Sequence, residues 1–435
     1  MRAETTAASV RILACIACAL AFGLAHADEL KRAGFLGVRT APNAKGVAIT
    51  ALVEGGAAEP AGLREGDIIT AVNGAEIGSQ GEFIAILGKL RAGDKATIAF
   101  LRADEAKSVD VRIAPRPYES APGVDTRYLS VSVNGQRRRL IVTVPRTPGR
   151  HPAVLYVTGI GCFSQESVGI QTTDAKLLYG LTEAGFVTMR VEKSGIGDSE
   201  GVSCSADGYG LTDEVSGYVA ALLTLRGYDF VDPGKVFVMG VSIGGVEAPL
   251  IARQAPVKGI VVINTVAKPF LDYLHEVRRH QMVLRHTAYD EIEDRLKQND
   301  HCNTALLAEN KSLAALLTDE PGCRDFITYP APVIYMRQWT AIVPAKEWKL
   351  VDAPVLIVSG DMDFVAMPSD APYLRDMIES FHPGSTTLVT IPTMTHYMGH
   401  AQSLGEALEK GASAPFETRI LESVRDWLSA SERAR

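Results

Sequence analysis

Apolar positions along this chain fall into two regimes. From residue 128 onward, short continuous apolar runs alternate with helix-length segments, whereas residues 34–117 carry shorter runs broken by glycine turns. The runs at 128–133 and 140–144 flank Asn134-Gly135, a tight-turn dipeptide, and predict a hairpin. Segments 153–157, 186–191, 236–239, 257–263, 355–358 and 387–391 read as further strands, with helices at 174–184, 212–225 and 417–428. An antiparallel start followed by repeated strand–helix units predicts an α/β domain, its mostly parallel sheet covered on both faces. Between 266 and 352 the pattern turns helical, with Tyr273, Leu274 and Val277, then Ile292 and Leu296, at three-to-four spacing.

The run at 236–239 ends in Gly240-Val241-Ser242-Ile243-Gly244, and a helix-compatible stretch starts at Val246. Strand, G-x-S-x-G, helix is the context of a nucleophile elbow. A turn this sharp leaves no room for side chains two before and two after the serine, so glycine is required there. The strain lifts the serine oxygen above the sheet edge. It also aims the Ile243 amide and the helix N-terminus at the point where negative charge would develop.

The stretch Leu63-Arg64-Glu65-Gly66-Asp67-Ile68-Ile69-Thr70-Ala71-Val72-Asn73-Gly74 is the most specific part of the first region. With Gly55-Gly56-Ala57-Ala58 and Ala61-Gly62-Leu63 it resembles the PDZ family. The resemblance implies a small mostly-β domain in which an added peptide strand is held by its terminal carboxylate. Phe35-Leu36-Gly37-Val38 resembles the carboxylate-binding loop of periplasmic proteases, and Phe83, Ile84 and Leu87 are spaced to face the groove. A PDZ module that only positions the enzyme is the alternative.

From residue 125 the chain resembles the α/β-hydrolase family. The resemblance rests on the elbow at Ser242 and on Glu192-Lys193-Ser194-Gly195-Ile196-Gly197-Asp198-Ser199-Glu200-Gly201, similar to the glycine-punctuated loop after the fourth strand. It implies an eight-stranded sheet, a helical cap at about 266–352, and a triad in the order Ser, acid, His. The acid falls in Ser359-Gly360-Asp361-Met362-Asp363; family spacing favours Asp363, with Asp361 left open. His396 is the expected base, ahead of His400 and His382. The second oxyanion donor is expected in Thr158-Gly159-Ile160-Gly161-Cys162-Phe163, at the Ile160 amide rather than Gly161, although the family commonly opens this loop with His-Gly. Trp339, Trp348, Tyr329 and Tyr335 are placed as candidate pocket residues of the cap.

The amino-terminal 27 residues read as an export signal: Arg2 and Arg11, an apolar segment at 12–24, and Ala25-His26-Ala27 ahead of Asp28. Cleavage near Ala27 predicts a periplasmic or secreted protein with no membrane span, a PDZ-like domain at 28–117, a linker at 118–124 and a hydrolase domain at 125–435. Of the six cysteines, removal of the signal leaves Cys162, Cys204, Cys302 and Cys323. An even number in an exported chain predicts two disulfides, and no C-x-x-C spacing points to a metal. Cys162 and Cys204 lie in loops expected at one end of the sheet, and Cys302 and Cys323 lie within the cap, which favours those pairings. A nucleophilic Cys162 is the weaker reading, because it lacks an elbow.

A net charge of −7 argues against nucleic acid as partner. The basic run Arg137-Arg138-Arg139 follows a hairpin turn and is expected on a solvated strand face. The expected activity is serine hydrolysis of a small acyl ester or thioester without cofactor, with a protein C-terminus as a second partner at the PDZ groove. A peptidase of the same class and a non-catalytic PDZ–hydrolase binding protein are the alternatives.

Overall fold

Asn134 and Gly135 both take positive φ, 51° and 77°, the geometry that lets two adjacent strands fold back with matching twist. They join β1 (Val124–Val133) to β2 (Gln136–Pro145), paired over their full length. The computed structural model describes residues 30–167 and 170–433; the expected export signal lies outside the described residues. After the hairpin come β3 (His151–Val157), β4 (Val187–Val191), β5 (Val231–Val241), β6 (Gly259–Ile263), β7 (Val355–Met362) and β8 (Thr386–Thr395). The sheet order is β8-β7-β6-β5-β3-β4-β2-β1, in which β2 runs antiparallel to both neighbours and the other pairings are parallel.

The continuous apolar runs follow from burial on both faces. Leu155, Val238, Val262 and Ile357 point to one face, covered by α2 (Leu211–Arg226) and α3 (Ile243–Ala252), which follow α1 (Thr173–Glu183). Tyr156, Met239, Ile263 and Val358 point to the other, covered by α1 and the carboxy-terminal helix Thr418–Arg433. Between β6 and β7 the cap begins with α4 (Phe270–Leu284) and α5 (Tyr289–Asn303). Its apolar core of Phe270, Leu306, Met336 and Trp339 packs on Ile243, Val246 and Leu250 of α3, so the cap is seated on the helix that follows Ser242.

In the first region a five-stranded path and the helix Gln80–Leu87 enclose Val47, Ile49, Ile69, Val72, Ile98 and Phe100. Phe83 turns into this core whereas Ile84 is exposed. Strand Val38–Asn43 lies at the sheet edge beside that helix. Phe35, Leu36 and Gly37 form the turn leading into it, where their carbonyls accept from Ala57, Ala58 and Val53.

Arg138 and Arg139 are buried, contrary to the expectation of a solvated face. Asp198, from the loop after β4, accepts from Arg139 Nε and Arg32 Nη1 at 2.9 Å each and from the Ala33 amide at 2.7 Å. Glu166 pairs with Arg32 and, at 3.0 Å, with Arg116. Arg138 lies against Gly217 of α2, with its guanidinium 5.9 Å from the Tyr209 ring centre. Arg139 therefore serves the joint with the first region through Asp198, Arg138 packs inside the hydrolase domain, and Arg137, partly exposed, pairs with Glu200.

Candidate active site

Ser242 takes φ 56° and ψ −123°, a conformation that side-chain-bearing residues rarely hold. A Cβ at Gly240 would come 2.1 Å from the Gly244 carbonyl oxygen, and one at Gly244 would come 2.2 Å from that of Val157. Both glycines are thus forced by close backbone approach. The Ser242 carbonyl accepts from the Gly245 amide at 2.9 Å and the Thr265 hydroxyl at 2.8 Å, closing the turn.

His396, at the end of β8, stands 3.1 Å from the Ser242 Oγ through Nε2. Its Nδ1 lies 2.9 Å from Asp363 Oδ2 and 3.1 Å from Oδ1. Asp363 is 2% exposed, and its Oδ1 also accepts from the Val365 and Ala366 amides at 2.7 and 2.8 Å. Asp361 is exposed. His400 is held by Glu417 at 2.9 Å, and His382 meets the Lys349 carbonyl at 3.2 Å.

Ile243 is the first residue of α3, and Gly159 faces Ser242 closely enough that an added Cβ would sit 3.6 Å from the serine Cβ. Two features of this region were not foreseen. Lys193, buried, donates to the Gly159 carbonyl at 3.0 Å and pairs with Glu214 of α2 at 2.6 Å. Asn264, just past β6, donates to the carbonyls of Thr395 and His396 at 2.9 and 3.1 Å and accepts from the Gly360 amide at 2.9 Å. One side chain thereby ties the histidine loop to the acid strand. Its sequence signal is slight: an Asn after an apolar strand, suited to its φ of 48°.

Cys162 is bonded to Cys204, and Cys302 to Cys323, each with Cα atoms 5.5 Å apart. The first bond closes the Thr158–Phe163 loop onto the loop after β4. Burial pushes the Glu192 carboxyl up to about 7, where it accepts from Ser164 and the Gln165 amide beneath that loop.

A cavity of about 610 Å³ opens over Ser242 and His396 between sheet and cap. Phe270, Tyr273, Tyr329 and Trp339 form much of its wall. Tyr335 instead donates to Glu247 at 3.0 Å, and Trp348 is packed in the sheet core. A second cavity of about 670 Å³, beside Asp272, His275 and Asp300, contains neither Ser242 nor His396. No group of three or more metal-ligating side chains occurs among the described residues.

The family model described as "Serine aminopeptidase, S33" matches residues 171–400, from the start of α1 past His396. The chain belongs to that family. A PDZ domain model matches residues 34–113. The family member is 22% identical to Esterase EstD of Thermotoga maritima over 358 residues, covering 80% of this chain and 77% of that protein. Its first region is similar to a probable periplasmic serine endoprotease DegP-like of Hahella chejuensis, 31% identical over 101 residues and covering 22% of each chain. Among solved structures, Est1E from Butyrivibrio proteoclasticus covers 71% of this chain and 99% of its own at 16% identity and a TM-score of 0.45. The protein is a serine hydrolase of the α/β-hydrolase fold with an amino-terminal PDZ domain.

Proposed function

We propose that this protein is an exported serine hydrolase that cleaves carboxylic esters or thioesters through Ser242, His396 and Asp363. The observation that carries the reading is the hydrogen-bonded chain from Ser242 through His396 to Asp363 beneath an apolar cavity. His396 takes the serine proton as Oγ attacks the acyl carbon and returns it to the leaving group. Asp363 holds the Nδ1 proton and stabilises the imidazolium. Water repeats the sequence on the acyl-enzyme. The Ile243 and Ile160 amides are the oxyanion donors. The two disulfides fit an oxidising compartment.

Charge in the cavity supports esters over aminopeptides. An aminopeptidase needs an anion to receive its substrate's ammonium. Asp174 lines the cavity, but it is engaged by the Tyr156 hydroxyl and burial pushes its carboxyl up, towards the neutral form. Arg278 in the same wall repels an ammonium. Activated acyl esters and thioesters are therefore expected to exceed aminoacyl anilides by roughly 10³-fold in kcat/KM, the scale at which an unmatched buried charge discriminates. A preference for the anilides in a side-by-side panel overturns the ester assignment.

Lys193 has a positioning role in this reading. The Gly159 carbonyl and the Ile160 N–H belong to one trans peptide and point in opposite directions. Anchoring that carbonyl on Lys193 therefore turns the Ile160 amide away from Lys193. Lys193→Met is expected to lower kcat by roughly 10²-fold, the worth of one oxyanion donor, with a smaller change in KM. Its loss also leaves Glu214 buried without a partner, so Glu214→Gln is combined with it. Recovery of the melting temperature with the rate loss retained supports positioning; recovery of both means the single variant was merely unstable.

The PDZ domain is proposed to dock a protein C-terminus, its carboxylate at Phe35, Leu36, Gly37 and Val38. Peptides with free apolar C-termini are then expected to bind more tightly than their amides. Equal affinities by titration calorimetry remove that role.

A further inference from the structure

We propose that Arg278 makes the Ser242 cavity selective for esters that carry a carboxylate on their acyl or alcohol part. The proposal rests on the serine hydrolase reading and names the substrate class of that site.

Helix α4 presents Phe270, Tyr273, Leu274 and Val277 to the cavity and then continues the same wall with Arg278 and Gln281. A guanidinium thus interrupts an apolar stripe. Two neighbouring cap cations are paired with carboxylates, Arg279 with Glu293 and Lys268 with Glu276. Arg278 has no carboxylate within ion-pair distance among the described residues. Among the described residues it donates one hydrogen bond, to Thr328 Oγ1, which at 3.5 Å is weak. Its charge is nonetheless felt at the phenols of Tyr273 and Tyr329, both in the cavity wall.

Asp174, the carboxylate in the lining, does not serve as its partner, being bonded to Tyr156 and within the field of Arg190. The guanidinium thus stands in the wall of a largely apolar cavity with no carboxylate of the lining to answer its charge. A substrate carboxylate answers it in the planar, two-pronged geometry that guanidinium matches. The volume of about 610 Å³ leaves room for a small-molecule ester bearing such a group.

Two matched pairs of esters test the proposal and separate acyl-side from alcohol-side carboxylates. One pair is mono-p-nitrophenyl glutarate and its methyl-capped diester; the other is 4-carboxyphenyl acetate and phenyl acetate. The wild type is expected to favour the anionic member of at least one pair by roughly 10–100-fold in kcat/KM, chiefly through KM. In Arg278→Met that ratio should collapse towards one, and Arg278→Lys should restore part of it. A fluorophosphonate probe that still modifies Ser242 in Arg278→Met verifies an assembled site. No anionic preference in either pair, or a preference that survives Arg278→Met, overturns the proposal while the hydrolase reading stands. Failure of the probe to modify the wild type overturns both.

Discussion

Ser242→Ala is expected to reduce kcat for an activated ester by on the order of 10⁶-fold, leaving only what the amide donors and the cavity contribute. The hydroxyl meets His396 Nε2 at 3.1 Å, and the turn itself is held by backbone groups and Thr265, so its removal leaves the fold intact. Alanine inherits the φ of 56° with no added bulk. The melting temperature should therefore match or exceed that of the wild type, since relief of a functional constraint tends to stabilise. Unchanged hydrolysis in this variant would transfer the nucleophile's role elsewhere. His396→Ala is expected to follow the same pattern.

The second large effect separates two aspartates that lie two residues apart. Asp363→Asn is expected to lower kcat by about 10⁴-fold, whereas Asp361→Asn stays near wild type. The geometry explains the size. Oδ1 of Asp363 accepts from the Val365 and Ala366 amides, so an asparagine must place its oxygen there and its NH2 opposite His396 Nδ1. Facing a donor, Nδ1 becomes the acceptor and the proton moves to Nε2, which can then no longer receive the serine proton. Asp361 is exposed, and the polar partners of the His396 ring are Asp363 and Ser242. Kinetics of the two variants on one ester suffice. Equal losses, or a larger loss at Asp361, would reverse the assignment.

The elbow was legible because its residues are consecutive in the chain, although only Gly240 is imposed locally, by the Gly244 carbonyl; Gly244 is imposed by the Val157 carbonyl at the end of β3. The strands of the sheet were legible for a related reason, since burial on both faces leaves continuous apolar runs. Their ends were not, and β5 and β8 extend well past their apolar centres because ladder pairing does not require apolar side chains. Asp361 lies at the end of β7 and Asp363 just past it, and what separates them is burial against a loop 33 residues later in sequence. Nothing in the sequence singled out Lys193 or Glu214. Their role depends on a carbonyl 34 residues upstream and a helix beyond the next loop. The same holds for Arg138 and Arg139, whose partners lie on separate elements. Charged residues placed by long-range packing leave no periodic trace in a single sequence.

Covalent capture of the nucleophile tests the central claim most directly. After reaction with a fluorophosphonate, intact mass should rise by one phosphonyl group. The adduct should map to the peptide containing Gly240-Val241-Ser242-Ile243-Gly244, be absent in Ser242→Ala, and form far more slowly in His396→Ala. An adduct on any other residue, or one that persists in Ser242→Ala, would contradict the account.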